Sequence, residues 1–156
     1  ISMYCRIYEP GKILVQHGQK IEEMYFITRG SIVLYDYLGV TPFIQLPQYS
    51  FFGDYQLIFD LNCNFVAKCG GKEDFSKLFG QDDKTFLMCI GKDDFMEQFN
   101  TYPKSRAVVQ KRALQRRMVF MQHLEALNDF LAVRNEKMKE FAMKKIQSRE
   151  QEWIIE

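Results

Sequence analysis

Between Gly11 and Ile90, apolar and polar positions alternate in short runs punctuated by glycine and proline, the pattern of a small antiparallel barrel or roll. Strands are expected over Lys12–Gln16, ended by His17-Gly18-Gln19, over Met24–Thr28, ended by Arg29-Gly30, and over Ser31–Tyr37, ended near Gly39. In the third run Ile32 and Leu34 alternate with Val33, Tyr35 and Tyr37, so one set packs inward while the tyrosines lie on the other face. Phe43–Leu46 before Pro47, Phe51-Phe52 before Gly53, Phe65–Cys69 and Thr85–Ile90 bring the count toward about eight strands. Gly70–Lys84, with its paired glycines and acidic residues, reads as a long surface excursion holding one helical turn around Phe75–Phe79.

The period then changes. Asp94-Phe95-Met96-Glu97 fits a capping box, with Asp94 as N-cap, and opens a short helix through about Phe99. Tyr102-Pro103 breaks that helix and restarts it, because proline disfavours helix in the preceding residue and suits a first turn. The residues after Pro103 contain neither glycine nor proline, and a continuous helix to about Glu150 would reach about 70 Å. Along it Leu124, Leu127, Leu131, Met138 and Phe141 follow a 3–4 spacing with Arg134 in one slot, a coiled-coil seam interrupted once. The expected fold is α+β: an antiparallel, jelly-roll-like β-roll over residues 1–102, with a short helix, and a long C-terminal helix over 103–156.

Composition supports a single globular domain: of 156 residues 47% are hydrophobic and 26% charged. The net charge of +1 is a sum of unlike parts. Lys+Arg against Asp+Glu is 9 against 13 for residues 1–102 and 12 against 7 for 103–156, so a body of −4 carries a tail of +5. Apolar runs are too short to span a bilayer. The start at Ile1, without a signal-peptide pattern, suggests a segment of something longer whose membrane spans lie upstream. Cys5, Cys63, Cys69 and Cys89 form no Cys-x-x-Cys pair and read as reduced thiols of an intracellular protein. His17 and His123 lack ligand partners and read as surface residues, so no metal site is expected. No nucleophile–base or paired-carboxylate constellation suggests an enzyme.

Three stretches in order resemble the cyclic-nucleotide-binding domain family. Gly11-Lys12-Ile13, Gly18 and Glu23-Met24-Tyr25-Phe26-Ile27-Thr28-Arg29-Gly30-Ser31-Ile32 look like its opening strands and turns. Phe52-Gly53-Asp54-Tyr55-Gln56-Leu57 stands where the family has its phosphate-binding cassette, which would span residues 52–64 here. Phe95-x-x-x-Phe99-x-x-Tyr102-Pro103 is similar to the helix that precedes the family's long C-terminal helix. The stretch Tyr49 to Gln56 and the run Arg112-Ala113-Leu114-Gln115-Arg116-Arg117 look most like the corresponding domains of voltage-gated cation channels of ciliated protists.

The resemblance implies a ligand site made of Phe52, Gly53, Asp54, Tyr55, Gln56, Cys63 and Asn64, with cAMP or cGMP as the family's ligand. A cyclic phosphate asks for backbone N–H groups at a helix start, close approach at Gly53 and a guanidinium. The family's arginine falls on Cys63, followed by Asn64, and neither pairs with a phosphate. Asp54 matches the family's ribose-binding glutamate but is one methylene shorter, and Gln56 replaces a small residue and enters the ligand's space. Losing the guanidinium contact costs roughly 1.5–3 kcal/mol, or about ten- to a hundredfold in affinity, so no cofactor is firmly expected. Lys68 is a candidate substitute cation.

With no ligand, Leu57, Ile58 and Phe59 are expected to pack the cassette permanently against Val108 and Val109. The basic cluster from Lys111 to Arg117 invites a nucleic-acid or membrane-surface reading; no helix-turn-helix follows it, so no nucleic-acid partner is expected, and Glu125, Asp129, Glu136 and Glu140 dilute the charge a membrane surface would meet further along. It reads either as a solvated face complementing the acidic body or as a site for an acidic partner. The resemblance therefore implies a non-enzymatic regulatory domain of a potassium-like cation channel, on the cytoplasmic side of a membrane, with weak or absent ligand binding. Its partners would be other channel subunits or domains, with a homo-oligomer through the C-terminal helix. Two alternatives stay open: an interaction module of a large soluble intracellular assembly, and a functional cAMP or cGMP sensor.

Overall fold

The computed structural model describes residues 2–70 and 83–155, with side chains described through residue 150. Eight strands are present among the described residues: β1 (Met3–Tyr8), β2 (Ile13–Val15), β3 (Glu23–Arg29), β4 (Ser31–Tyr35), β5 (Pro42–Leu46), β6 (Phe51–Phe52), β7 (Val66–Gly70) and β8 (Thr85–Gly91). A short helix α1 (Asp54–Ile58) follows β6, α2 (Lys92–Thr101) follows β8, and α3 (Pro103–Ile155) closes the chain. The strands pair antiparallel in nested fashion, β1 with β8, β2 with β7, β3 with β6 and β4 with β5. Further pairings of β3 with β8 and β4 with β7 complete two four-stranded sheets, ordered β1-β8-β3-β6 and β2-β7-β4-β5. This is the wrapping of a jelly roll, and the expected α+β class, roll and long helix are the observed ones.

Period-two alternation places the core. Ile32 and Leu34 on β4 are fully buried, as are Leu87 and Cys89 on β8, and Phe52 and Phe65 meet between the sheets at a ring separation of 5.9 Å. Phe43 stands edge-on to Phe65 and Tyr25 stacks on Phe52, giving one continuous aromatic interior beneath the cassette.

Several boundaries differ from expectation for local reasons. β1 has no counterpart in the sequence reading: its outward Met3, Cys5 and Ile7 are apolar and exposed while Tyr4, Arg6 and Tyr8 lie on the other face, so its alternation is inverted. β4 ends at Tyr35 because the Asp36 carboxylate accepts from the N–H groups of Val40 (2.9 Å) and Thr41 (3.1 Å), turning the chain early. Asp94 is not an N-cap. The N-cap is Gly91, three residues earlier; α2 starts at Lys92, whose N–H donates to the Glu22 carbonyl of the roll at 2.9 Å, and Asp93 and Asp94 lie in the first turn, where negative charge is favourable. The helical turn expected around Phe75–Phe79 lies outside the described residues. Among those described, no helix is long and apolar enough to cross a membrane, and no cluster of His, Cys, Asp or Glu is disposed to hold a metal ion.

Candidate functional site

The cassette begins where β6 turns sharply into α1. Gly53 has φ 107°, and a Cβ there would lie 2.9 Å from the Glu23 carbonyl oxygen on β3. Both the positive φ and the contact with backbone demand glycine. Gly53→Ala should therefore cost about 1–3 kcal/mol, read as a lower urea midpoint with an unchanged slope; a midpoint like the parent's would show that the turn relaxes.

α1 is a single buried turn: Asp54, Tyr55, Gln56 and Leu57 all point inward. The Asp54 carboxylate is met by Arg116 of α3, with Nε 3.2 Å from Oδ2 and 3.3 Å from Oδ1. The same guanidinium donates through Nη2 to the Phe51 carbonyl at 2.6 Å and lies over the Phe51 ring, 4.1 Å from its centroid. Burial pushes the Asp54 pKa above the usual carboxylate value, and the Arg116 charge opposes that rise without overcoming it. Asp54, the residue aligned with a ribose acceptor, is thus occupied by a cation from within the chain.

Cys63 is 1% exposed and donates its thiol hydrogen to the Phe65 carbonyl at 3.3 Å. Desolvation raises its pKa to about 12, so it is a neutral thiol at physiological pH. Gln56 is 3% exposed, and neither its amide oxygen nor its amide nitrogen has a partner among the described residues. The Tyr55 hydroxyl is likewise buried without one, and its ring stands edge-on to Phe120 at 5.8 Å. Asn64 faces outward, its Nδ2 3.1 Å from the Met121 sulfur. Lys68 supplies no cation to the cassette: its Nζ donates to the Gly39 carbonyl at 2.7 Å and sits over the Tyr35 ring.

Helix α3 covers the cassette, but not through the residues expected. Val108 and Val109 are 51% and 39% exposed, whereas Ala113, Phe120 and Leu124 are buried and Arg116 is half-buried. The spacing 113, 116, 120, 124 is one helical stripe. Phe120 lies 5.8 Å from the Tyr55 ring and 6.4 Å from Phe65, directly above the aromatic interior. Arg116 and Phe120 are thus the residues against the cassette that the sequence reading did not single out. The signal was partial: Ala113, Phe120 and Leu124 share a stripe flanked by Arg116 on one side and Arg117 on the other, and helical spacing does not choose between the two arginines.

No family model matches the sequence. Curated proteins do. The chain is 31% identical over 116 residues to the cyclic nucleotide-gated channel rod photoreceptor subunit alpha of Gallus gallus, covering 74% of this chain and 17% of that protein. It is 27% identical over 111 residues to cyclic nucleotide-gated channel alpha-3 of Homo sapiens, covering 70% and 15%, so it spans about a sixth of the length of these relatives. Among solved structures, the cAMP-bound PfPKA-R superposes with a TM-score of 0.61 at 10% identity, covering 81% of this chain and 37% of that one. The regulatory domain of Toxoplasma gondii PKA with cAMP gives 0.55 at 13% identity, covering 74% and 39%.

Proposed function

From the premise that the chain is a cyclic-nucleotide-binding-type domain, homologous to a segment of cyclic nucleotide-gated channels and folded like the kinase regulatory domains, we propose that it is a non-catalytic regulatory domain of a cation channel whose phosphate-binding cassette is degenerate. The channel role rests on the cyclic nucleotide-gated channel relatives; potassium-like selectivity and a place on the cytoplasmic side of a membrane are proposed with it. One observation carries the degenerate site: the two groups a cyclic nucleotide most needs are absent or engaged. A buried neutral thiol, Cys63, stands at the cation's position, and the carboxylate of Asp54 is held by Arg116. Gln56 fills the small-residue position between them in the chain. In this reading Arg116 and Phe120 act as the domain's own lid, and α3 holds a fixed interface instead of closing on a ligand.

The experiment is a titration with a fluorescent cyclic-nucleotide analogue. The parent chain is expected to bind no tighter than roughly 100 μM, and the double variant C63R/Q56A to gain about ten- to a hundredfold, the worth of a charge-assisted contact. Low-micromolar binding by the parent chain would overturn the degenerate site and favour a working cAMP or cGMP sensor.

A further inference from the structure

Beyond Leu124 the helix α3 leaves the roll. Leu124 is buried against the body and Leu127 and Leu131 are half-buried, while Phe130, Met138 and Phe141 are each 61% exposed. The first part of the expected coiled-coil seam is therefore used up on the chain's own roll. The projecting part of the helix has a charge pattern of its own. At about 100° per residue, the five acidic residues from 125 to 150, namely Glu125, Asp129, Glu136, Glu140 and Glu150, project within about 80° of one another. Arg134, Lys137, Lys144, Lys145 and Arg149 fall on the other side, with Phe130, Leu131, Met138 and Phe141; Lys139 alone of the basic residues stands apart. Up to residue 150 the apolar face is thus cationic, with the acids sorted to the back.

This face is also shaped. Where α3 passes the β4–β5 turn, Tyr37, Leu38 and Val40 project beside Asn128, Leu131 and Asn135 to enclose a groove of about 390 Å³. The groove continues onto the helix as a shallow trough of about 510 Å³ lined by Arg134, Lys137, Met138, Phe141, Ala142 and Lys145. Among the described residues no carboxylate pairs with Arg134, Lys137 or Lys145.

We propose that this groove and trough form a docking surface for an acidic amphipathic helix of a different protein or domain. Charge complementarity selects the occupant. A second copy of the chain would set Arg134 and Lys145, in the middle of the apolar stripe, against their own counterparts, and like charges facing each other oppose pairing. An anionic membrane would satisfy the cations, but a flat bilayer does not reach the corner between the β4–β5 turn and the helix, and insertion would bury two charges in the centre of the apolar face. An opposing helix with leucines in its seam and glutamates beside them fills the corner and pairs the cations. The surface lies two turns or more beyond Phe120, so its use does not depend on whether the cassette binds a nucleotide.

The test uses the whole chain and a labelled synthetic peptide of about four heptads, with leucine at the seam and glutamate on its flanks. Binding measured by fluorescence anisotropy is expected to weaken by about tenfold or more between roughly 50 and 300 mM salt. R134E/K137E/K145E, with helicity checked by circular dichroism, is expected to lose that binding and to gain affinity for a twin peptide carrying lysine in place of glutamate. Equal binding of a glutamine twin by the parent chain would overturn the proposal. So would binding of phosphatidylserine vesicles without binding of the peptide, or self-association in sedimentation that the triple variant abolishes.

Discussion

Arg116→Ala should lower the stability of the domain by about 3 kcal/mol at neutral pH, the scale set by removing one partner of a buried pair. The loss comes less from the attraction that disappears than from the carboxylate that stays. Asp54 is 6% exposed on its side chain and Arg116 24%, so the guanidinium still touches water while the acid does not. Even with Arg116 in place, burial already lifts the Asp54 pKa above its ordinary value. A group whose pKa is raised on folding favours the folded state below its unfolded pKa, and that contribution is lost as pH climbs through the folded pKa. Without Arg116 the folded pKa rises further, so Asp54 escapes its penalty by taking a proton. The destabilisation should therefore be largest near pH 7 and shrink as the pH falls toward the carboxylate range. Asp54→Asn in the same chain should return most of the loss at neutral pH, because the amide has no charge to leave unpaired. Urea unfolding of the parent, both single variants and the double variant at two pH values closes the cycle. A loss that is the same at both pH values and untouched by Asp54→Asn would mean that Arg116 acts only through its stacking on Phe51.

That pair also marks how far the sequence could be read. The roll was legible because turn glycines and two-residue alternation are local signals: Ile32 and Leu34 declare their face without knowledge of any partner strand. β1 was not, because its alternation is inverted: the apolar Met3, Cys5 and Ile7 face outward, while Tyr4, Arg6 and Tyr8 share the face of Cys89 and Leu87. The start of α2 was misplaced because its first N–H is satisfied by a carbonyl far back in the chain, at Glu22, while the capping box is a purely local signature. In the cassette, the missing cation at Cys63 could be seen by alignment of motif to motif. That Arg116 is tied to Asp54 could not, since the two lie 62 residues apart and meet only after the helix has chosen which stripe to bury. The expected contact through Val108 and Val109 failed on the same point. Apolar character alone did not decide the face; the stripe through 113, 116, 120 and 124 won because it alone places an aromatic ring over Tyr55 and Phe65 while a guanidinium reaches Asp54.

Phe120→Ala should be the most damaging single substitution on α3, at about 3–5 kcal/mol. Phe120 is 5% exposed and touches the aromatic interior on two sides, Tyr55 and Phe65, while the Arg116 guanidinium lies 5.2 Å from its ring centroid. Removing it leaves a void whose walls are held by the roll on one side and by α1 on the other, so little collapse can fill it. It also removes the contact that seats the helix stripe, and the next anchors are Ala113, too small to compensate, and Leu124 one turn on. Val108→Ala, on the exposed side of the same helix, should stay within about 0.5 kcal/mol. Hydrogen exchange separates the two consequences. If Phe120 is the seat, amides over roughly 113–124 in the Phe120→Ala variant lose protection before those of β3, β4 and β8, because the helix detaches while the roll stands. Uniform loss across roll and helix would instead show that α3 and the roll unfold as one unit, with Phe120 part of a shared core and no local lid to release.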